Sequence, residues 1–422
     1  SSDYKIKSDL SKKQLEEFRK EPWKLDGLLH PYSKLIFQNM LCSHTLLERN
    51  SDITFYFTGR EALDAMFEEM EKARHHIHLQ SYIILSDKTG ERLKKLLIKK
   101  AGEGVNVKVM YDDIGSFSLK KSYVKELAAA GIEVIRFAPI RLVTPASKLN
   151  YRNHRKILIV DGITAFLGGV NIADRYYYGI SSGDWYDTHV RIRGNSVYSI
   201  QASFLMDRNF AMDRKFRFSR KYYPKININL SSGNDRLQEH QIYTQIISSG
   251  PDSDWAGIMG CYFGAITAAE KHIYIMTPYF APNPTILNSL KTVALGNVDV
   301  KILLPEKSDS RVAQWSSMSY VSELLEAGIK IYLFGKGFNH AKVISIDGKM
   351  CMVGSANFDN RSFEHNFEIM SAIYDEERTS VIESHFSDML NSSTCLSLLK
   401  WEKRSRKEKI AESLSRLWSP LL

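Results

Sequence analysis

The sequence contains one long internal repeat, and this repeat constrains the fold more than any other feature. The apolar run His76–Ser81 corresponds to His272–Thr277, and the alternating run Val105–Val109 corresponds to Val298–Ile302. In both copies an amphipathic helical pattern follows, and it ends at an Ala-Gly-Ile sequence whose glycine suits the left-handed turn that terminates a helix. We therefore predict two lobes built alike from strands and helices.

The repeat also predicts the fold class. Strands rich in Val, Ile and Leu that alternate with helices favour parallel pairing, with helices covering the faces of the sheet. We predict an α/β fold of two pseudo-symmetric lobes, each a mostly parallel sheet covered by helices. The expected segments are a charged, mostly solvated lead-in over residues 1–50, a first lobe over 51–235, a second lobe over 236–400 and a basic amphipathic tail over 401–422.

Composition limits the possible partners. The 57 Lys and Arg residues outnumber the 48 Asp and Glu residues, so the net charge of +9 favours nucleic acid, anionic lipid or phosphorylated small molecules. A hydrophobic fraction of 44% excludes general disorder. The four cysteines are scattered without a CxxC pair, which favours reduced thiols over a disulfide framework or a zinc site. No apolar run reaches about 18 residues, so we expect no spanning helix or signal peptide within this sequence.

Each copy of the repeat carries the same polar pattern, His-x-Lys-x4-Asp-x6-Gly followed by Asn three residues later. The Asp begins an Asp-Gly turn between two short strands, so that the His and the Lys, two residues apart on a strand, point to the same side. The pattern comprises His154, Lys156, Asp161 and Asn171 in the first copy, and His340, Lys342, Asp347 and Asn357 in the second.

Lysines on two apolar strands need an anion, because a buried unpaired charge is costly. Two imidazoles, two ammonium groups and two amides that converge between the lobes suit a phosphate diester, so we expect the active site at the lobe interface. We predict catalytic roles for the His, Lys and Asp residues of both motifs, although an Asp-Gly pair can equally serve only as a turn. We expect both Lys and both Asn residues to bind phosphate oxygens without a metal or another cofactor.

The two histidines suit a two-step phosphoryl transfer. One imidazole attacks phosphorus while the other protonates the leaving alcohol and later deprotonates the incoming one. An attacking imidazole needs a carboxylate on its other nitrogen. Asp187 lies 33 residues after His154, and Glu368 lies 28 residues after His340, each at the start of a strand. We therefore predict that these two carboxylates orient the histidines.

The paired patterns resemble the HKD motifs of the phospholipase D superfamily, from about residue 50 to 400. Further runs are similar to bacterial cardiolipin synthases: 184–190, 248–255, 357–363, 366–368 and the closing residues 417–422. The resemblance implies a metal-independent phosphatidyltransferase that moves a phosphatidyl group from one phosphatidylglycerol to another and releases glycerol through a phosphohistidine. It also implies that His154 is the nucleophile and His340 the acid and base, which the spacing alone does not distinguish.

Two alternatives remain open at this point. A phospholipase D-type lipid hydrolase or a nuclease would share the same constellation. A non-catalytic anion-binding or membrane-scaffolding protein would show one eroded motif, whereas the two motifs differ only where Gly169 stands in place of Ser355. We expect the Ser355 hydroxyl to add a phosphate contact on one side only.

The same resemblance implies the partners and the location. We expect an anionic phospholipid, phosphatidylglycerol, as substrate and a membrane surface as partner, rather than nucleic acid; the oligomeric state stays open. Cardiolipin synthases commonly carry hydrophobic N-terminal segments, so we expect anchoring segments ahead of Ser1 and a peripheral location at the cytoplasmic face of the cell membrane. Three segments suit lipid contact, namely extra residues around 142–150 that form a lip, the basic and aromatic connector 208–225, and the basic, then apolar tail. A solvated face for the connector and a helix packed on the body for the tail are the alternatives.

Overall fold

The computed structural model describes most of the chain, over residues 2–21, 25, 27–138, 151–181, 183–213, 219–226, 241–251 and 255–418. The predicted lip at 142–150 lies outside the described residues, as do the middle of the predicted connector, 214–218, and the end of the predicted tail, 419–422.

Fifteen α-helices and two 3-10 turns are described in these residues. The helices before the second copy of the repeat are α1 (Ser2–Lys20), α2 (Ser33–Cys42), α3 (Gly59–Glu71), α4 (Lys88–Gly102), α5 (Lys121–Ala129), α6 (Asp174–Tyr178) and α7 (Ser196–Ala211). Those that follow are α8 (Gly257–Thr267), α9 (Pro284–Leu295), α10 (Arg311–Met318), α11 (Val321–Glu326), α12 (Asn360–Glu364), α13 (Glu376–Leu390), α14 (Leu398–Glu402) and α15 (Arg406–Trp418). The 3-10 turns are Gly27–Tyr32 and Arg220–Tyr222.

The strands follow the same division. The first lobe contains β1 (Glu48–Thr58), β2 (His76–Ser81), β3 (Asn106–Asp112), β4 (Glu133–Phe137), β5 (Arg152–Asn153), β6 (Ile157–Val160), β7 (Thr164–Gly168) and β8 (Asp184–Gly194). The second contains β9 (Ile242–Ser249), β10 (His272–Met276), β11 (Phe280–Ala281), β12 (Asp299–Pro305), β13 (Lys330–Phe334), β14 (Gly337–Asn339), β15 (Val343–Ile346), β16 (Met350–Gly354), β17 (Phe358–Asp359), β18 (Asn366–Tyr374) and β19 (Ser393–Cys395).

The predicted α/β repeat is confirmed, and the sheet of each lobe is mixed. Strands β2, β3 and β4 are parallel, as are β10, β12 and β13. The Asp-Gly hairpins then add antiparallel strands, β6 and β7 beside β2, and β15 and β16 beside β10. The repeat also extends to the helix ends, because Gly131 and Gly328 both have the predicted positive φ, +80° and +84°.

The two lobes share one continuous sheet. Strand β9 pairs with β1 of the first lobe on one side and with β18 of the second on the other. Two short pairings cross the boundary in the same way: β5 lies parallel to β18, and β14 lies parallel to β8. In both pairings, a short strand of one lobe therefore lies in register with a long strand of the other lobe.

The lead-in is more deeply packed than we expected from its charge. Leu15, Phe18, Leu35 and Met40 are buried in the same apolar cluster as the core of the second lobe. Charged residues of α1 remain exposed, so the helix is amphipathic, and its apolar face covers the lobe. This apolar face was not predicted from the sequence because its residues are few and widely spaced among charged ones.

The C-terminal tail forms a helix that packs on the body and still exposes apolar side chains. Helix α15 lies against α10, and Arg416 stacks on the Tyr320 ring at 4.4 Å. Ile410 and Leu414 of α15 stay exposed. Within the described residues, no helix has both the length and the apolar character needed to cross a membrane.

The motif aspartates tie each hairpin to the strand beside it. The Asp161 carboxylate accepts the backbone N–H groups of residues 74, 75 and 76 at 2.7–2.9 Å, and Asp347 does the same for residues 270, 271 and 272 at 2.7–2.8 Å. Both aspartates have a φ of +55°, which Asp tolerates better than most residues. Each carboxylate thereby fixes the start of β2 or β10 relative to its hairpin.

We expect Asp161→Ala to destabilise the protein, because three backbone donors lose a charged acceptor. The expected loss in the free energy of unfolding is about 2–4 kcal/mol, given the usual value of hydrogen bonds to charged groups at a half-buried site. Urea denaturation measures it, with Asp347→Ala as the matched change in the other lobe and exposed Asp184→Ala as the control. An unchanged denaturation midpoint would contradict this structural role.

Candidate active site

The crossed pairings bring both motif histidines to the boundary between the lobes. The backbone N–H of His154 donates to the carbonyl of Phe367 at 3.0 Å, and that of His340 donates to the carbonyl of Tyr186 at 2.7 Å. Each histidine therefore follows a strand that is paired with the carboxylate-bearing strand of the opposite lobe, β18 or β8.

The two predicted orienting carboxylates meet the histidines across the lobe boundary. Nδ1 of His154 lies 2.9 Å and 3.1 Å from the two carboxylate oxygens of Glu368. Nδ1 of His340 lies 2.7 Å from Oδ2 of Asp187. The sequence spacing associates each carboxylate with the histidine of its own copy, whereas the fold exchanges them. A carboxylate on Nδ1 fixes the tautomer in which Nε2 carries the free lone pair.

Both motif lysines are buried behind the histidines. Lys156 and Lys342 are 1% and 0% exposed. Nζ of Lys156 donates to the carbonyl of His154 at 2.5 Å, and Nζ of Lys342 donates to the carbonyl of His340 and lies 2.9 Å from its Nδ1. Nζ of Lys156 also lies 5.5 Å from the centre of the Tyr82 ring. Each lysine thus binds the backbone of the histidine of its own motif.

A cavity of about 280 Å³ opens in front of both histidines. Its lining side chains combine cations, acceptors and aromatic rings. They are Tyr82, Ile83, Arg152, His154, Asn171, Arg175, Tyr176, Tyr279, Ala281, Asp309, Ser310, Ala313, Ser316, Ser317, His340, Asn357, Asp359, Arg361 and Asn366. The predicted Asn171 and Asn357 are among them, whereas Lys156 and Lys342 lie in the wall behind.

Three predicted residues face away from this cavity. Asp161 and Asp347 bind the backbone at the hairpins described above. The Ser355 hydroxyl donates to the Glu368 carboxylate and accepts the backbone N–H of Ile369 at 3.0 Å. Gly169 is the equivalent residue in the first copy. A Cβ atom there would lie 2.0 Å from Oδ1 of Asp187, so the Asp187 carboxylate leaves space only for a glycine. Ser355 therefore acts on the carboxylate that holds His154.

Burial dominates the protonation of the site. It lowers the pKa of Lys156 well below its ordinary value, that of Lys342 to about 8, and that of His340 to about 4. Burial also lowers the pKa of His154, although Glu368 opposes that shift. The imidazoles are therefore neutral at pH 7 in the unliganded protein.

The carboxylates remain ionised despite their burial. Burial alone would raise the pKa of Glu368, but His154, Lys156 and the Ser355 hydroxyl hold it below its ordinary value. Lys342 and His340 do the same for the pKa of Asp187. Each neutral imidazole consequently donates its Nδ1–H to an anion.

Two arginines that line the cavity were not predicted from the sequence, although they occupy equivalent positions in the two copies of the repeat. Arg175 and Arg361 each stand four residues after the motif asparagine, Asn171 or Asn357, and both line the cavity. Arg152 has no such signal, because the equivalent position in the second copy is Phe338. The residues of α10 that line the cavity also lack a signal, since only the tertiary fold brings this helix to the site.

The surroundings of the two histidines differ. His340 lies among aromatic rings, with ring centres at 5.1 Å for Trp185, 5.7 Å for Phe338 and 6.4 Å for Tyr279. Among the described residues, one ring lies near His154, that of Tyr82 at 5.0 Å. The His340 side is therefore the more apolar of the two.

A larger groove of about 1010 Å³ lies elsewhere on the first lobe, between α3 and α4. Its charged side chains pair with each other, as Arg92 does with Asp64 at 2.8 Å and Lys99 with Glu71 at 2.7 Å. Neither motif histidine reaches it. No group of three or more possible metal ligands occurs among the residues that the structure describes.

Comparison with known proteins identifies relatives over most of the chain. A family model described as "Cardiolipin synthase, PLD-like domain" matches residues 66–188 and 262–390. A cardiolipin synthase from Geobacillus thermodenitrificans is 40% identical over 369 residues, which cover 86% of this chain and 71% of the relative. Cardiolipin synthase 2 from Bacillus anthracis is 42% identical over 375 residues, covering 86% and 69%. The crystal structure of phosphatidylserine synthase from Haemophilus influenzae has the same fold, with a TM-score of 0.69 over 92% of this chain and all of that one, at 14% identity.

We expect the cavity to bind a simple anion in a pH-dependent way. Sulfate keeps its charge throughout the range, whereas Lys342 loses its proton as the pH rises through about 8. Sulfate affinity should therefore fall between pH 7 and pH 10, as isothermal titration calorimetry would measure. Lys342→Met should bind sulfate weakly at pH 7 with a flatter pH profile. An affinity of the native protein that stays constant to pH 10 would contradict the lowered pKa of Lys342 or its contact with the anion.

Proposed function

The chain belongs to the cardiolipin synthase family of phospholipase D-like enzymes, and we propose that it transfers a phosphatidyl group from one phosphatidylglycerol to another. Glycerol leaves, and a phosphohistidine joins the two half-reactions. One observation carries this proposal: two neutral histidines face a single cavity, each held at Nδ1 by a carboxylate of the opposite lobe.

The first half-reaction forms the covalent intermediate. Nε2 of His154 attacks phosphorus, and the bond between phosphorus and the oxygen of the headgroup glycerol breaks. His340, protonated in the complex with the anionic lipid, gives its proton to that oxygen, so glycerol leaves as a neutral alcohol. The imidazole of His154 now carries the phosphatidyl group and a positive charge, which Glu368 stabilises through Nδ1–H.

The second half-reaction reverses the first with a different alcohol. Neutral His340 takes the proton of the terminal hydroxyl of a second phosphatidylglycerol, and the resulting oxygen attacks phosphorus. The bond between phosphorus and His154 breaks, cardiolipin leaves, and His340 holds the proton for the next cycle. Two molecules of phosphatidylglycerol thus give one cardiolipin and one glycerol.

Fixed cations stabilise the charge on phosphorus in both steps. Arg152, Arg175 and Arg361 line the cavity, and Lys156 and Lys342 lie behind the histidines. We propose that these groups hold the non-bridging oxygens and supply the charge that metal ions supply in other phosphoryl-transfer enzymes. A bound diester should in turn raise the pKa of both lysines, because an anion restores the charge that burial disfavours.

The site should work at the surface of an anionic membrane, since the acyl chains of the substrate stay in the bilayer. Helix α10 lines the cavity and exposes Val312 and Trp315, which are 44% and 41% exposed. Helix α15 packs on α10 and adds basic residues and the exposed Ile410 and Leu414. We propose that this face meets the lipid at the cytoplasmic side.

Product analysis tests the proposed reaction. The protein is incubated with phosphatidylglycerol vesicles in excess chelator, and the products are identified by mass spectrometry. Cardiolipin and free glycerol are expected, because fixed cations replace a metal. Phosphatidic acid as the sole lipid product would identify a hydrolase instead. Turnover that the chelator abolishes and a divalent ion restores would contradict metal independence.

The roles of the two histidines can be separated with a donor that needs no acid. Phosphatidyl-p-nitrophenol has a leaving group that departs without protonation, so His340→Ala should release about one equivalent of p-nitrophenol and keep the phosphatidyl group on His154. His154→Ala should release none. Both variants should lose turnover of phosphatidylglycerol. A burst from His154→Ala, detected by absorbance with mass spectrometry of the labelled peptide, would reverse the assignment.

A further inference from the structure

Three buried polar atoms without a hydrogen-bond partner in the described part of the chain belong to residues that line the catalytic cavity. They are Oγ of Ser316, Oδ1 of Asn357 and Oδ1 of Asn366. The residues are 1%, 6% and 7% exposed. A buried polar atom with no partner is costly, so such atoms at one cavity indicate a ligand that satisfies them.

The neighbours of the two amides determine what those amides offer. Nδ2 of Asn366 donates to Oε1 of Glu368 at 3.3 Å, and the Asn357 side chain donates to the carboxylate of Asp359. In both residues the amide nitrogen is engaged, and the oxygen is left as an acceptor.

Two carboxylates add to these acceptors. Asp359 lines the cavity at the start of α12, where it accepts the backbone N–H of Ser362 at 2.8 Å. Burial raises the pKa of Asp359 to about 6, so it is mainly an anionic acceptor at neutral pH. Asp309 accepts the Tyr279 hydroxyl at 2.5 Å and also lines the cavity.

The two amide oxygens and the two carboxylates cannot serve the phosphate, and only the Ser316 hydroxyl could also donate to it. A phosphate diester carries only acceptor oxygens, and the arginines and lysines already match it. Acceptors beside the phosphate need a ligand group that donates hydrogen bonds and has no negative charge. Alcohol hydroxyls meet both conditions.

We propose that Ser316, Asn357, Asp359 and Asn366 form a subsite for the hydroxyl groups of a polyol, with glycerol and the glycerol headgroup as its ligands. This inference rests on the proposed transferase function. The glycerol that leaves in the first half-reaction occupies the same place as the headgroup of the phosphatidylglycerol that enters in the second. A single subsite therefore serves both half-reactions. The subsite selects a polyol over a simple alcohol, because a monohydric alcohol leaves the buried acceptors unpaired.

A competition between acceptors tests the subsite. The donor is phosphatidyl-p-nitrophenol in detergent micelles, and glycerol and 1-propanol are added at equal concentration. Both alcohols react with the same phosphohistidine, so the ratio of phosphatidylglycerol to phosphatidylpropanol reports acceptor choice when it is measured by mass spectrometry at low conversion, before cardiolipin forms from the new phosphatidylglycerol. Because it is a ratio of products, it does not depend on how much of a variant is folded.

The native enzyme should favour glycerol about tenfold or more beyond the statistical ratio that its two primary hydroxyls give. Ser316→Ala and Asn366→Leu should each lower the ratio about fivefold or more towards the statistical value. Ser289→Ala is the matched control, since Ser289 is a buried helical serine whose hydroxyl donates to the carbonyl of Ile286, away from the cavity. Its ratio should equal that of the native enzyme.

The contrary results separate the two proposals. A native ratio near the statistical value, or one that Ser316→Ala and Asn366→Leu leave unchanged, would overturn the polyol subsite and leave the transferase function intact. If the native enzyme forms neither transfer product, the transferase function itself fails, and the subsite fails with it.

Discussion

The hydrogen bond between each motif histidine and a carboxylate of the opposite lobe is the contact on which the rest of the site depends. His154 binds Glu368, and His340 binds Asp187, so each pair takes one residue from each lobe. The exchange follows from the sheet, because β5 pairs with β18 and β14 pairs with β8. Both histidine–carboxylate pairs therefore form only where the two lobes share their strands.

The second constraint is charge. The site buries two lysines and two carboxylates at the lobe boundary, and the depressed pKa values of the lysines show that the neighbouring charges do not fully offset their burial. In the reaction that we propose, the incoming diester supplies the missing anion. Binding and protonation are consequently coupled, and the same cations that attract the substrate are already in place for the transition state.

Much of this arrangement was predictable from the sequence. The repeat predicted the two lobes, and the paired motifs indicated the histidines, lysines and orienting carboxylates. Three kinds of feature were not predictable. The exchange of Asp187 and Glu368 depends on strand pairing between lobes. The role of Asp161 as a backbone anchor depends on its contact with residues 74–76. The contribution of Ser316 depends on where α10 packs, and residue spacing within a repeat carries no information about any of these. Arg175 and Arg361, in contrast, were accessible, since both follow the motif asparagine by four residues.

The departures from symmetry favour different roles for the two histidines. Glu368 receives hydrogen bonds from His154, from the Ser355 hydroxyl and from Nδ2 of Asn366, and it is therefore well stabilised as an anion. At the equivalent place Gly169 leaves no room for a side chain, so Asp187 has no such hydroxyl and binds the backbone N–H of Thr188 besides His340. A phosphohistidine carries a lasting positive charge, which needs the more strongly held anion. An acid and base must change protonation twice in each cycle, and the apolar rings around His340 keep its proton easily released. The asymmetry of two otherwise equivalent halves thus matches a nucleophile at His154 and a proton carrier at His340.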